Sequence, residues 1–175
     1  FSVIDDPREI FDRMARGLEF DACEMSGTEY ISRFAAGDCP FVAIPVFASR
    51  MFRHGFIVIN TRSGIKMPKD LEGRRVGVQL YTMSAAMWIR GMLRHEYHVD
   101  LSTIRWVQGA IDSAGSHGSP TVLPLLKQPD IENNATDRSL SQLLEDGNID
   151  AVLGATLPTG LGSHPDISRL FPNFR

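Results

Sequence analysis

Between Arg74 and Leu93 the spacing of apolar side chains changes. Val76, Val78 and Leu80 alternate, and then Met83, Met87, Ile89 and Leu93 recur at nearly helical intervals. A period of about 2 giving way to one of about 3.6 predicts a strand that runs into a helix. The junction is Tyr81-Thr82-Met83-Ser84, and both Thr82 and Ser84 are good helix N-caps. A helix opening there aims unpaired N–H groups and the positive end of its dipole outward, a seat for a small anion. The turn lacks Gly-x-Gly-x-x-Gly and Gly-Lys-Ser/Thr, so a carboxylate suits it better than a nucleotide phosphate. An ordinary capped turn fits the same pattern.

The same reading along the chain predicts alternating strands and helices. Residues 1–4 read as a strand, and Asp5-Asp6-Pro7 opens a helix carrying Ile10, Phe11 and Met14 as far as Gly17. Residues 18–23 alternate as a strand, and Ser26 starts a second helix that ends at Gly37. The apolar runs 41–47 and 56–60 read as two buried strands, and the polar insert between them holds Ser49, Arg50, Arg53 and His54. A helical turn beginning at Pro68 feeds the Val76 strand, and residues 104–108 supply the next strand. That completes a strand–helix–strand unit, which predicts a parallel pair, a right-handed crossover and a doubly wound sheet. Residues 109–138 are rich in Gly, Ser, Pro, Asn and Asp around an apolar island at 122–126, which makes them a functional loop or an excursion holding a short strand. Residues 139–147 form an amphipathic helix closed by Gly147, and 149–154 a further strand. Trp88 fits the core face of its helix better than a stacking platform.

Composition narrows the partners. A chain of 175 residues can bury a real core, and a net charge of −3 without a Lys/Arg stripe argues against nucleic acid. No apolar run approaches the roughly 18 residues of a membrane span. The first residues show no export signal, which points to the cytoplasm. Cys23 and Cys39 lack a Cys-x-x-Cys spacing or neighbouring histidines, so free, buried thiols are expected. Phe1 begins inside a strand pattern and Leu170 to Arg175 carries no cap or polar tail, so the chain reads as a piece of a longer protein.

Several phrases together resemble the 4,5-dihydroxyphthalate decarboxylase family: Gly17-Leu-Glu-Phe-Asp21, Glu24-Met-Ser26, Pro40-Phe-Val-Ala-Ile-Pro-Val-Phe47, Ser49-Arg-Met-Phe-Arg-His54, Leu71-Glu-Gly-Arg-Arg-Val-Gly77 and Ile104-Arg-Trp-Val107. The Ser49 to His54 phrase is the most specific of them. The resemblance implies an α/β, two-lobed fold like that of type 2 periplasmic binding proteins, incomplete at both ends. Residues 1–60 would then belong to the first lobe, 61–155 to the second, and 156–175 to a return toward the first. Ligands of such folds bind at the carboxyl ends of parallel strands.

The activity implied is loss of CO2 from a hydroxylated aromatic dicarboxylate. Such a reaction needs cations for the carboxylates, a group that draws a phenol toward phenolate, and a general acid at the ring carbon. Under the resemblance, Arg50 and Arg53 are carboxylate clamps, and His54 is the acid, because imidazole exchanges protons near neutrality. Glu24 is the base or the acceptor for ring hydroxyls, beside Ser26, and Tyr81, Thr82 and Ser84 receive the second carboxylate. No cofactor is expected and no metal-ligand pattern is visible, although a divalent metal and a homo-oligomer are both allowed. The alternative is a solute-binding protein for a small carboxylate or aromatic acid, periplasmic or extracellular, without catalysis.

Overall fold

β2 (Arg75–Val78) has a hydrogen-bonded strand on each side, and Val76, Gly77 and Val78 are all buried, so layers cover both of its faces. The structure, a computed structural model, describes residues 7–118 and 129–174. They divide into two compact units, one of residues 7–51 and the other of residues 52–118 and 129–174.

The first unit holds α1 (Pro7–Gly17) and α2 (Gly27–Ala36), both at the positions read from the sequence. Arg13 of α1 meets Glu9 one turn earlier and Glu19 beyond the helix end. Gly37 closes α2 in the left-handed region at φ 73°, where its N–H meets the carbonyls of Arg33 and Phe34. Two expected strands are absent from this unit. Residues 18–23 form no ladder, and Leu18 itself turns the chain at φ 51°. Residues 41–47, expected as a buried strand, are irregular, with Val42 88% and Phe47 72% exposed. No described strand pairs with them, and Pro45 removes one ladder donor. The expected strand at residues 1–4 and the apolar island at 122–126 lie outside the described residues.

The second unit is a six-stranded mixed sheet between two layers of side chains. Besides β2 it contains β1 (Ile57–Asn60), β3 (Arg105–Gln108), β4 (Ile131–Asn133), β5 (Ala151–Leu153) and β6 (Ile167–Arg169). Their order is β4-β3-β2-β5-β1-β6. β2 is parallel to β3 and β5, β3 is parallel to β4, and β1 is antiparallel to both β5 and β6. β1 therefore runs against the other five. The sequence groups it with the residues before it, yet it sits deep in this sheet.

Strand alternation sorts the core. Ile57, Ile59, Val76 and Val78 point to the face covered by α3 (Ser84–His95) through Ala86, Ile89 and Leu93. Val58, Val107 and Val152 point to the face covered by α4 (Leu140–Glu145) through Leu140, Leu143 and Leu144. Trp88, expected in the core, lies on the outer side of α3 and is 62% exposed. A capping box starts α4: Ser139 Oγ accepts from Gln142 N, and Gln142 Oε1 accepts from Ser139 N.

Gly77 is closely packed on the side of the sheet that α4 covers. A Cβ there would stand 2.9 Å from Ile149 Cδ1 and 3.0 Å from Val152 Cγ2. Gly77→Ala should therefore cost about 1–3 kcal/mol through overpacking. Urea unfolding checks this as a lower midpoint at constant slope; an unchanged midpoint would mean that the α4 layer yields freely.

Candidate functional site

Parallel strands end with N–H and C=O groups that have left the ladder, and polar side chains gather there to meet them. Three strands of this sheet finish side by side at one edge: β2 runs on into Gln79, β3 ends in Gln108 and β5 runs on into Gly154. Gln79, 1% exposed, takes the N–H groups of Ala155 and Thr156 on its Oε1, each at 3.2 Å. Its Nε2 lies 3.4 Å from Nδ1 of His117. Because Oε1 already faces two donors, the orientation of this amide is unambiguous. Gln108 accepts the N–H of Tyr81 on Oε1 at 2.8 Å and donates from Nε2 to Asn133 at the end of β4.

Tyr81 is held on every side in the turn that follows β2. Beyond the Gln108 bond, its carbonyl accepts from Arg90 Nη1 at 2.6 Å. The Arg90 guanidinium lies 3.6 Å from the centre of the tyrosine ring, and Trp106 meets the ring edge-on at 5.4 Å. The helix that follows takes its N-cap between the two residues expected for it. Met83 occupies the N-cap with no side-chain acceptor, Ser84 is the first helical residue, and Thr82 lies in the turn. The predicted side-chain caps are therefore replaced by a turn that Arg90 and Gln108 fix.

The antiparallel course of β1 brings a second group to the same edge. Ile57 faces Leu153, so the short 3-10 turn Arg53–Phe56 before β1 lies where β5 ends. Arg53 is half-buried over the Phe56 ring at 5.2 Å, and burial lowers the pKa of its guanidinium. His54 packs edge-on against Phe171 and Tyr97, with Nε2 3.8 Å from Glu96 Oε2. Arg53 and His54 thus share one turn, and Tyr81, Thr82 and Ser84 share another.

The remaining predicted residues belong to the first unit. Glu24 is exposed, and Arg50 is exposed beside the Phe47 ring at 5.9 Å. Ser26 is the N-cap position of α2, and its Oγ pairs with Thr28 Oγ1 at 3.0 Å. The buried acid of this unit is Glu29, which carries no mark in the sequence pattern; it is 0% exposed and binds Arg33 through Oε1. Cys23 and Cys39 are free thiols and only half-buried, and burial raises the Cys23 pKa.

Charge pairing separates the arginines. Arg33, Arg62, Arg74, Arg75 and Arg138 each meet a carboxylate: Glu29, Asp166, Asp150, Glu132 and Asp146 respectively. Arg53 and Arg90 are the two whose pKa burial lowers, and neither meets a carboxylate among the described residues. Sequence reasoning misses Arg90 because a lone cation in an amphipathic helix reads as solvated surface. Gln79 and Gln108 carry a faint signal, one glutamine at the end of each of two apolar strand runs.

A depression of about 610 Å³ lies at the opposite, amino edge of the strands, between Asp70, Glu72, Arg74 and Asp150. Its polar groups are already engaged: Asp70 by the N–H groups of Lys66 and Met67, Glu72 by Asp100 N–H and Lys69, and Arg74 by Asp150. Edge chemistry therefore favours the carboxyl side. Among the described residues no three His, Cys, Asp or Glu side chains gather closely enough to hold a metal ion. No described helix is long and apolar enough to cross a membrane.

The sheet and its carboxyl edge define an α/β protein with a fixed polar rim and two desolvated guanidinium groups that lack carboxylate partners among the described residues. No family model matches the chain. It is 38% identical over 170 residues to the 4,5-dihydroxyphthalate decarboxylase of Comamonas testosteroni and 37% identical over 170 residues to that of Pseudomonas putida. Each match covers 97% of this chain, which spans 51% of the first protein and 66% of the second. With that identity along nearly its whole length, the chain belongs to the 4,5-dihydroxyphthalate decarboxylase family.

Two predictions concern the edges. Gln79→Leu strips the acceptor from the Ala155 and Thr156 amides, which should cost about 1–3 kcal/mol and speed hydrogen exchange at both; Gln79→Glu, which keeps an acceptor, should restore their protection. At the amino edge, the N–H groups of Lys66 and Met67 lower the folded pKa of Asp70. The Asp100 N–H does the same for Glu72, and Ser102 for Asp100. Each such group contributes stability above its unfolded pKa and loses it as the pH falls through the lower folded one. Acid titration of stability should accordingly show a steeper loss in the wild type than in Asp70→Asn, and an identical acid limb in both would contradict the assignment.

Proposed function

We propose that this protein removes CO2 from a hydroxylated aromatic dicarboxylate of the 4,5-dihydroxyphthalate type, on a two-lobed scaffold like that of type 2 periplasmic binding proteins. The observation that carries the reading is the identity of 37–38% along 97% of the chain to two proteins of that name. The desolvated Arg53 guanidinium without a described carboxylate partner supports it, since a ligand carboxylate would supply the missing counter-ion.

In the substrate each carboxylate stands para to a ring hydroxyl, which feeds electrons toward the carbon that must be protonated. The acid delivers a proton to that carbon, the ring–carboxylate bond breaks, and its electron pair restores the aromatic ring as CO2 leaves. One proton is consumed for each CO2, and solvent returns it to the acid. His54 is the proposed acid, and Glu96, within 3.8 Å of Nε2, orients its ring. Arg53 holds one carboxylate, and Tyr81, Thr82 and Ser84 receive the other. The substrate is the expected partner, and no organic cofactor enters this scheme.

CO2 release from 4,5-dihydroxyphthalate by the whole protein, with and without chelator, tests the reading. Release should persist in chelator. Arg53→Gln should raise KM about ten- to hundredfold, the worth of a charge-assisted hydrogen bond, whereas His54→Gln should lower kcat by about 10²–10⁴ with binding retained. Binding of the substrate without release would overturn the decarboxylase reading in favour of a solute-binding protein. Near-normal turnover by His54→Gln would remove His54 from its role.

A further inference from the structure

We infer that Arg90 is a second carboxylate anchor at the carboxyl edge and gives the site its preference for a dicarboxylate over a monocarboxylate. This rests on the reading of the edge as a site for an aromatic dicarboxylate. Arg90 stands in the middle of α3, and its side chain runs back toward the helix start, the direction that helical side chains favour. It reaches Tyr81, where Nη1 donates to the carbonyl oxygen at 2.6 Å and the guanidinium lies 3.6 Å from the ring centre. Trp106 is 5.9 Å away.

These contacts fix the cation and, among the described residues, leave most of its donors uncommitted. The tyrosine covers one flat face, whereas the N–H groups of a guanidinium point outward in its plane. Of five such donors, the Tyr81 carbonyl engages Nη1 alone. Tyr81 cannot drift, because Gln108 holds its N–H and Trp106 its ring edge. Burial lowers the Arg90 pKa, yet no described carboxylate pairs with it, in contrast to Arg33 with Glu29 and Arg75 with Glu132. A cation taken partly out of water without a counter-ion is costly, and a ligand carboxylate that accepts two parallel N–H bonds offsets that cost. The guanidinium is thus set in place beforehand, so little ordering entropy is lost when the carboxylate arrives.

The test compares phthalate with benzoate in calorimetric titrations of the whole protein, its Arg90→Gln variant and its Arg90→Lys variant, alongside CO2 release from 4,5-dihydroxyphthalate. Arg90→Gln should weaken phthalate about ten- to hundredfold and benzoate much less, so that the preference for two carboxylates disappears. Arg90→Lys, which keeps the charge but not the planar fork, should recover part of it. Equal weakening of both ligands would mean that Arg90 only props the Tyr81 turn, and unchanged phthalate affinity would mean that it does not touch the ligand; either result overturns the inference. Should Arg90→Gln fail to fold, Arg90→Lys carries the test, and a wild-type preference in that variant overturns it as well. Failure of the functional reading shows separately, as a wild-type protein that still prefers phthalate through Arg90 but releases no CO2.

Discussion

One buried side-chain amide ties the ends of two central strands together. Past Val78 and Leu153 the ladder between β2 and β5 stops, and the N–H groups of Ala155 and Thr156 need another acceptor. Gln79 supplies it with a single oxygen. Gly154 makes room, because a Cβ there would stand 2.7 Å from that oxygen. Glutamine and glycine are therefore one device, and the chain turns away from the sheet there with the part-buried amides of Ala155 and Thr156 paired.

Chain direction decides what meets at that edge. β2, β3 and β5 deliver their carboxyl ends to it, whereas β1 runs the other way and delivers its beginning. This reversal places the Arg53–Phe56 turn at the edge where the parallel strands finish. Elsewhere the protein pairs its arginines at the surface: Arg75 meets both carboxylate oxygens of Glu132, and Arg138 meets Asp146 and Asn148. Arg53 and Arg90 are held against aromatic rings instead. A ring accepts a cation weakly and without cancelling its charge, so both guanidinium groups keep their attraction for an anion.

The sequence is legible where local signals and burial agree. The alternation of Val76 and Val78, the apolar face Ala86, Ile89 and Leu93, and the Ser139–Gln142 box all announce their elements, because each depends on neighbours a few residues away. Edge strands announce nothing. β4 and β6 are three residues each and carry Glu132 and Arg169, so they lack the apolar run that marks a central strand. The candidate site is legible in part: the Tyr81 turn and the Arg53-His54 pair stand out, whereas Arg90, Gln79 and Gln108 gain their contacts only from Tyr81, Ala155 and other residues across the sheet.

Residues 41–47 show the limit most plainly. Their apolar run has the composition of a buried strand, yet Val42, Ile44, Val46 and Phe47 are exposed in the described chain. A helix closes its hydrogen bonds within its own segment, so α1, α2, α3 and α4 were each determined by the sequence around them. A strand needs a partner brought from elsewhere in the chain, and a guanidinium becomes a binding group only when folding takes it out of water and withholds a carboxylate. Which runs pair, which way β1 points and which arginines stay without a described counter-ion were decided by the tertiary structure alone, because each depends on groups far apart in sequence.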